Sequence, residues 1–274
     1  MTPLTLSAFA DESATDTPSQ IAALLEAGLR YIDVRKLDGY NVTTLPLDHA
    51  ETVRHAYDEA GITVNMFGSP IGKTDITDDF QMELDRLEHL ARLKPILGCS
   101  AVRMFSFHNK TGLPHDAWRT AALDRLRRLK DRAGELGLIL YHENEGLVFG
   151  EHVDDVLTIA ELRDDTFRLI YDFGNHHHTG KTGLSIWQCL KGLTDAFHFK
   201  DRSAEGRFVP IGQGATDATE IIHDAVASGW QGPITLEPHL FLNAKHDPAM
   251  DRKALFLEAA RAAVHLMKDA QASL

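Results

Sequence analysis

The stretch Gly137-Leu-Ile-Leu-Tyr-His-Glu-Asn144 places a short apolar run between a glycine and a group of polar, metal-capable side chains. A strand buried on both faces reads as such an unbroken run, and a glycine after a helix supplies its left-handed cap. Working outward, the same unit recurs along the chain. Apolar runs rich in Val, Ile, Leu and Phe predict strands at Leu4–Ala8, Tyr31–Val34, Thr63–Phe67, Ala101–Phe105, Leu138–Tyr141, Arg168–Tyr171, Ala196–Phe199 and Pro233–Leu236. Amphipathic stretches predict helices at about 17–27, 47–60, 79–97, 115–136, 151–161, 184–192, 215–228 and 249–269. Gly28, Gly61, Gly137 and Gly229 stand where four of these helices give way to the next strand or the loop before it. Eight strand–helix units in 274 residues average about 34 each, the size of a unit in a single (β/α)8 barrel. An open doubly wound sheet would carry a glycine-rich phosphate turn after its first strand, and Ala8-Phe-Ala-Asp-Glu12 is not one. The expectation is α/β class, one TIM barrel domain over residues 1–274.

Charge narrows the partners. Lys plus Arg total 28 against 40 Asp plus Glu, so the formal net charge of −12 repels phosphate backbones and anionic lipid surfaces. Nucleic acid and membrane are therefore not expected partners. Cys99 and Cys189 lack C-x-x-C spacing, which suggests neither a disulfide framework nor a thiolate zinc site and fits a reducing cytoplasm. The opening MTPLTLSAFADES lacks a basic n-region followed by a long apolar run, and no run reaches the roughly 18 apolar residues that span a bilayer, so a soluble, unexported protein is expected.

In a barrel of this kind the chemistry lies at the carboxyl ends of the strands. The last four runs end Tyr141-His142-Glu143-Asn144-Glu145, Tyr171-Asp172-Phe-Gly-Asn175, Phe197-His198-Phe-Lys200-Asp201 and Leu236-Glu237-Pro238-His239. A single carboxylate after a strand is often a helix cap or a solvated loop residue. Glu143, Asp172, His198 and Glu237, one from each of four successive strands, are expected to meet at one point. Three converging carboxylates repel one another unless a cation neutralises them, so one divalent metal ion is expected. Two Glu, one Asp and one His form a mostly oxygen set suited to Mn, Mg or Co, with zinc admitted by the imidazole. His142 and Glu145 are weaker candidates, because neighbours along a strand face opposite ways.

These residues make the sequence resemble the xylose isomerase-like TIM-barrel superfamily, in particular its sugar phosphate isomerase/epimerase branch, over nearly the whole chain. The likeness rests on Glu143-Asn144, Asp172-Phe-Gly-Asn175, His198-Phe-Lys200-Asp201 and Glu237. Phe9-Ala-Asp-Glu12, Gly68-Ser-Pro-Ile-Gly-Lys73 and Arg103-Met-Phe-Ser-Phe107 add to it. The resemblance implies that Glu143, Asp172, His198 and Glu237 ligate metal and that Glu143 and Glu237 also move protons. Related ketose 3-epimerases carry His where Asn175 stands, so contact with substrate hydroxyls there differs.

Moving a proton beside a sugar carbonyl needs a base, an acid and stabilisation of an enediolate; Glu143 and Glu237 suit the pair. Lys200 is expected on the His198 side of its strand, where its ammonium would bind substrate. Arg103, mid-strand, needs an acid partner or a ligand inside the barrel. His108, and Arg35 in the same way, are weighed as substrate contacts against ordinary loop residues. Lys73 lies in a loop that could close as a lid. Of His176-His177-His178, one is expected to touch substrate, while Trp118, Trp187 and Trp230 read as packing. The expected activity is a metal-dependent sugar, sugar-acid or sugar phosphate isomerase or epimerase on a small-molecule sugar. The alternative is a lyase dehydrating an inosose or keto-sugar at the same site. Phosphodiester hydrolysis is disfavoured by the charge and the single clear histidine ligand, and a pure binder has no use for the acid pair. Apolar residues near Phe241 and Phe256 suggest a homodimer.

Overall fold

The computed structural model describes residues 4–244, 247 and 249–273. Eight parallel strands are found among them: β1 Leu6–Ala8, β2 Tyr31–Val34, β3 Thr63–Phe67, β4 Ala101–Met104, β5 Ile139–Glu143, β6 Phe167–Asp172, β7 Ala196–Phe199 and β8 Ile234–Leu236. Their order around the sheet is β1-β8-β7-β6-β5-β4-β3-β2, which is sequence order with β8 returning to β1. In register, Ser7 faces Thr235, Thr235 faces His198, and Asp172 faces His198. The fold is a TIM barrel, as the sequence predicted.

Eight outer helices follow the strands: α1 Thr17–Glu26, α2 Leu47–Ala60, α3 Gln81–Leu97, α4 His115–Leu136, α5 Val153–Ala160, α6 Gly183–Leu190, α7 Ala218–Ala227 and α8 Arg252–Ala272. Asp16 and Asp251 cap α1 and α8 by accepting from Ser19 N and Ala254 N, which satisfies amide groups that have no partner inside the helix. Gly61 and Gly137 end α2 and α4 at φ 67° and 66°, a conformation that strains any residue with a Cβ. A four-residue turn, Phe173–His176, is inserted directly after β6. No helix among the described residues is long and apolar enough to cross a membrane.

Two cores result from the strand alternation. Outward-facing residues such as Leu140, Leu169, Phe197 and Leu236 pack against the helices. Inside the barrel, Met66, Ile170 and Ala196 pack with Tyr141 and Ala101 into an apolar plug. Beside it, Asp33 accepts hydrogen bonds from Ser7 (2.6 Å), Asn65 (2.7 Å) and Thr235 (2.8 Å), joining β1, β2, β3 and β8. Burial pushes the Asp33 carboxyl up, and these donors oppose it. Two residues further along each strand, Tyr141, Ile170, Ala196 and Thr235 give way to Glu143, Asp172, His198 and Glu237. One expectation needs correction: Phe256 is buried beneath α8 rather than displayed on it, so it adds nothing to an exposed dimer face.

Candidate metal and acid–base centre

The four strand-end residues meet. One donor atom from each of Glu143, Asp172, His198 and Glu237 lies within 4.8 Å of the others, and all four side chains are buried. His198 Nδ1 faces Glu143 Oε1 at 3.2 Å, Glu237 Oε2 at 3.4 Å and Asp172 Oδ2 at 4.0 Å. The Phe9 ring meets the imidazole edge-on, with centroids 5.5 Å apart, and fixes its plane.

The residues beside the cluster explain the local motifs. Asn144 donates to Asp172 O (3.1 Å) and accepts from Asp172 N (2.8 Å), which ties the end of β5 to the end of β6. Asn175 donates to Asn144 O (2.9 Å) and Glu143 Oε1 (3.3 Å), while its own amide donates to Asp172 Oδ1 (2.8 Å). Asp201 accepts from Gly212 N, Gly214 N and Thr216 Oγ1, folding the loop after β7 back on the strand end.

Three cations balance the acids. Lys200 Nζ, from just past β7, lies 2.9 Å from Asp172 Oδ2, 3.3 Å from Glu237 Oε2 and 3.8 Å from Glu143 Oε1. Arg103 Nη1 spans Glu143 Oε2 (3.3 Å) and Glu237 Oε1 (3.4 Å), the acid partners its mid-strand position required. Arg35 Nη1 approaches Glu237 Oε1 at 2.6 Å, and the same guanidinium meets Asp11 and Glu12. Phe9 lies between the two guanidinium groups, 4.4 Å from Arg35 and 4.7 Å from Arg103.

Burial and charge set the proton affinities. Burial pushes Glu143 up, but His198 and Arg103 outweigh it and hold the carboxyl below the usual range. Burial also opposes ionisation of Glu237, which Lys200 and His198 nevertheless hold well below its ordinary value. Asp172 goes the other way: burial, then the like charges of Glu143 and Glu237, push it up despite Lys200. Burial pulls His198 down, but Glu143 and Glu237 raise it to about 9.

A divalent cation fits this donor set. Glu143 Oε2, Asp172 Oδ2 and His198 Nδ1 are buried and make no hydrogen bond among the described residues, although cations stand at ion-pair distance from both oxygens. Orphaned buried acceptors converging on one point are what a hard metal ion satisfies.

The remaining candidates divide. His142 faces away from the cluster and stacks on Phe167, and burial lowers it to about 4. His108 contacts Leu147 O through Nδ1 and makes no hydrogen bond or ion pair with the four cluster residues. Lys73 pairs with Glu145 at 2.6 Å and lies over the Phe105 ring, tying the loop after β3 to the loop after β5. His176 is buried against Tyr171, whereas the side chain of His178 lies outside the described residues. Trp187 and Trp230 pack on Phe197.

The sequence reading did not nominate Glu12 and His239. Glu12 accepts from both the backbone amide and the ring Nδ1 of His239, each at 2.7 Å, and His239 Nε2 lies 3.8 Å from Glu237 Oε1. This grip holds His239 at φ 53°, an uncommon conformation for a non-glycine residue. The signal was present in its spacing, two residues past Glu237.

An eight-stranded barrel with a buried acid–imidazole cluster at the carboxyl ends of its strands defines a class of TIM barrels whose strand ends could hold a metal ion. The chain belongs to the xylose isomerase-like TIM barrel family, whose sequence profile matches residues 21–260. A xylose isomerase-like TIM barrel protein from Mycobacterium smegmatis, solved in complex with magnesium, is 18% identical with a TM-score of 0.72, over 98% of both chains. A probable 3-DHS dehydratase, AsbF, from Bacillus anthracis is 15% identical with a TM-score of 0.75, over 95% of this chain and 99% of that one. D-psicose 3-epimerase, solved in the presence of D-fructose, is 15% identical with a TM-score of 0.71, over 98% and 99%. No curated protein matches the sequence.

Proposed function

We propose that the protein is a divalent-metal-dependent isomerase or epimerase of a sugar, sugar acid or sugar phosphate, with Glu143 and Glu237 as its proton-transfer pair. The observation that carries this reading is the meeting of Glu143, Asp172, His198 and Glu237 around one point, with buried oxygens left free of hydrogen bonds. These four residues would hold the metal. When bound, such an ion acts as a Lewis acid that stabilises charge on the two oxygens of an enediolate.

Glu143 removes the proton from the carbon beside the substrate carbonyl, and its depressed proton affinity keeps it ionised for that step. Glu237, which Lys200 and His198 hold ionised, takes up a proton from solvent between turnovers and returns it to carbon, and Glu143 afterwards releases to solvent the proton it removed. Arg103 spans the two carboxylates at nearly equal distances, so neither can swing away from the reacting carbon. Lys200, Arg35 and Asn175 donate hydrogen bonds to substrate oxygens. The buried setting excludes water, which would compete for the carbanion and for every charged contact.

The test is solvent-deuterium exchange into a panel of ketoses, inososes and keto-acids by the metal-loaded protein, with Glu143→Gln and Glu237→Gln beside it. Exchange that disappears in both variants while either still binds metal supports the pair. Turnover accompanied by loss of one water assigns the dehydratase reaction instead. Absence of exchange with every compound in the presence of metal would overturn the reading.

A further inference from the structure

Beside the buried cluster, a cavity of about 690 Å³ opens between the loops after β1, β2 and β8. Its wall includes Arg35 and His239, the two residues that approach Glu237 from this side. Arg35 and His239 thus stand between the cavity and Glu237, which places the cavity directly beside the proposed reaction centre. Its volume falls within the roughly 300–1,000 Å³ typical of small-molecule sites and exceeds what one pyranose ring fills.

The lining has a definite chemistry. Asp11 lies in the wall with its side chain about nine-tenths buried, and its Oδ1 has no hydrogen-bond partner among the described residues. Its other oxygen is taken by Arg35. Arg35, Lys36 and Arg252 stand in the same wall and outnumber this carboxylate, so a phosphate is the competing occupant of the cavity. Arg252 donates to Asp11 O and to Glu12 O, leaving Nη1 without a hydrogen-bond partner among the described residues. Tyr40, 39% exposed, and Phe241, with Arg252 over its ring, supply flat apolar surfaces. A fixed guanidinium donor and two aromatic faces together match the hydroxyls and C–H faces of a sugar ring.

We propose that this cavity is a subsite for a second sugar ring, so that the substrate is a ketose bearing a glycosyl substituent rather than a free monosaccharide. The inference rests on the isomerase or epimerase reading for the direction in which the reacting carbons point. The second ring stacks on Tyr40 and Phe241, and one of its hydroxyls accepts from Arg252.

The test uses the metal-loaded full chain and four probes: D-fructose and the glucosyl-fructoses turanose, maltulose and isomaltulose. Affinity is read by calorimetry and deuterium exchange by NMR, with inorganic phosphate as a competitor. At least one disaccharide is expected to bind about tenfold or more tightly than D-fructose, with Tyr40→Ala and Phe241→Ala bringing that ratio towards one. Melting curves establish that both variants are folded. Equal or weaker binding of all three disaccharides overturns the subsite, as does a preference that neither variant changes. Competition by phosphate for the extra affinity also overturns it and assigns the cavity to an anion. Exchange on D-fructose without disaccharide preference sinks the subsite alone. Disaccharide binding that needs Tyr40 and Phe241 but gives no exchange sinks the catalytic reading and leaves the subsite standing.

Discussion

Lys200 Nζ lies 2.9 Å from Asp172 Oδ2, closer to that oxygen than His198 Nδ1, which stands 4.0 Å away. The ammonium thus faces the same oxygens as the imidazole and supplies positive charge where three buried carboxylates would otherwise repel one another. Gly174 makes room for this arrangement, because a Cβ there would come within 2.7 Å of Lys200 Cγ.

Replacing Lys200 by Met therefore has two opposite effects. The metal-free protein should lose about 3–5 kcal/mol of stability, the usual cost of removing one partner from a buried ion pair. Affinity for Mn or Mg should rise about tenfold, because a competing cation has gone. Urea unfolding with chelator and calorimetric metal titration measure the two separately. Weaker metal binding in Lys200→Met would show that the ammonium supports the ligand set instead of competing with a cation.

Asn144 makes both its side-chain hydrogen bonds to the backbone of Asp172, so it acts as a clasp between two strand ends. Asn144→Ala leaves a buried N–H and a buried C=O unpaired, at a cost of about 1–3 kcal/mol. The metal site should loosen as Asp172 drifts from Glu143. Unfolding midpoints and metal affinity should fall together, and a variant that loses stability while binding metal normally would confine Asn144 to a structural role.

The barrel and its four converging residues were legible in the sequence for a local reason. Asp172, His198 and Glu237 directly follow an apolar run and Glu143 follows one after His142, and the two-residue repeat of a strand puts each above a plug or polar-layer residue. Arg103 was legible because a charge inside a buried strand demands a partner. What the sequence hid depends on closure of the ring. Glu12 and His239 are 227 positions apart and meet only because β8 pairs with β1. Asp33, Ser7 and Thr235 are hidden in the same way, since each reads alone as an ordinary polar residue. Phe256 misled because an aromatic on an amphipathic helix does not reveal which face the barrel covers.

His176 gives the fold a defined response to acid. Its ring is buried against Tyr171, neither nitrogen has a hydrogen-bond partner among the described residues, and burial alone lowers its proton affinity to about 3. In the unfolded chain the ring titrates near 6.5. Below that pH the unfolded state binds the proton and the native state does not, so the contribution present above 6.5 is lost progressively as pH falls towards 3. Between pH 7 and 5 the loss from this residue should be about 2 kcal/mol. Urea midpoints with chelator for wild type and His176→Phe should diverge over that interval, the variant being the less sensitive. Parallel pH profiles would mean that the His176 ring is solvated or charged in the native state.

Arg103 does more than supply charge. Its Nη1 spans Glu143 and Glu237, its Nη2 donates to Gly68 O at 3.3 Å, and its guanidinium lies 4.7 Å and 5.0 Å from the Phe9 and Phe105 rings. A planar fork can make these contacts together, whereas the single ammonium of lysine cannot. Arg103→Met should cost about 3–5 kcal/mol of stability by leaving two carboxylates less compensated. Arg103→Lys should recover most of that stability, because the charge returns, but not the fixed spacing of the two carboxylates. On the proposed mechanism the lysine variant therefore folds and binds metal yet exchanges substrate protons at least 10²-fold more slowly. Chemical unfolding, metal titration and deuterium exchange on one pair of variants separate these effects. Full exchange activity in Arg103→Lys would reduce Arg103 to a neutralising charge.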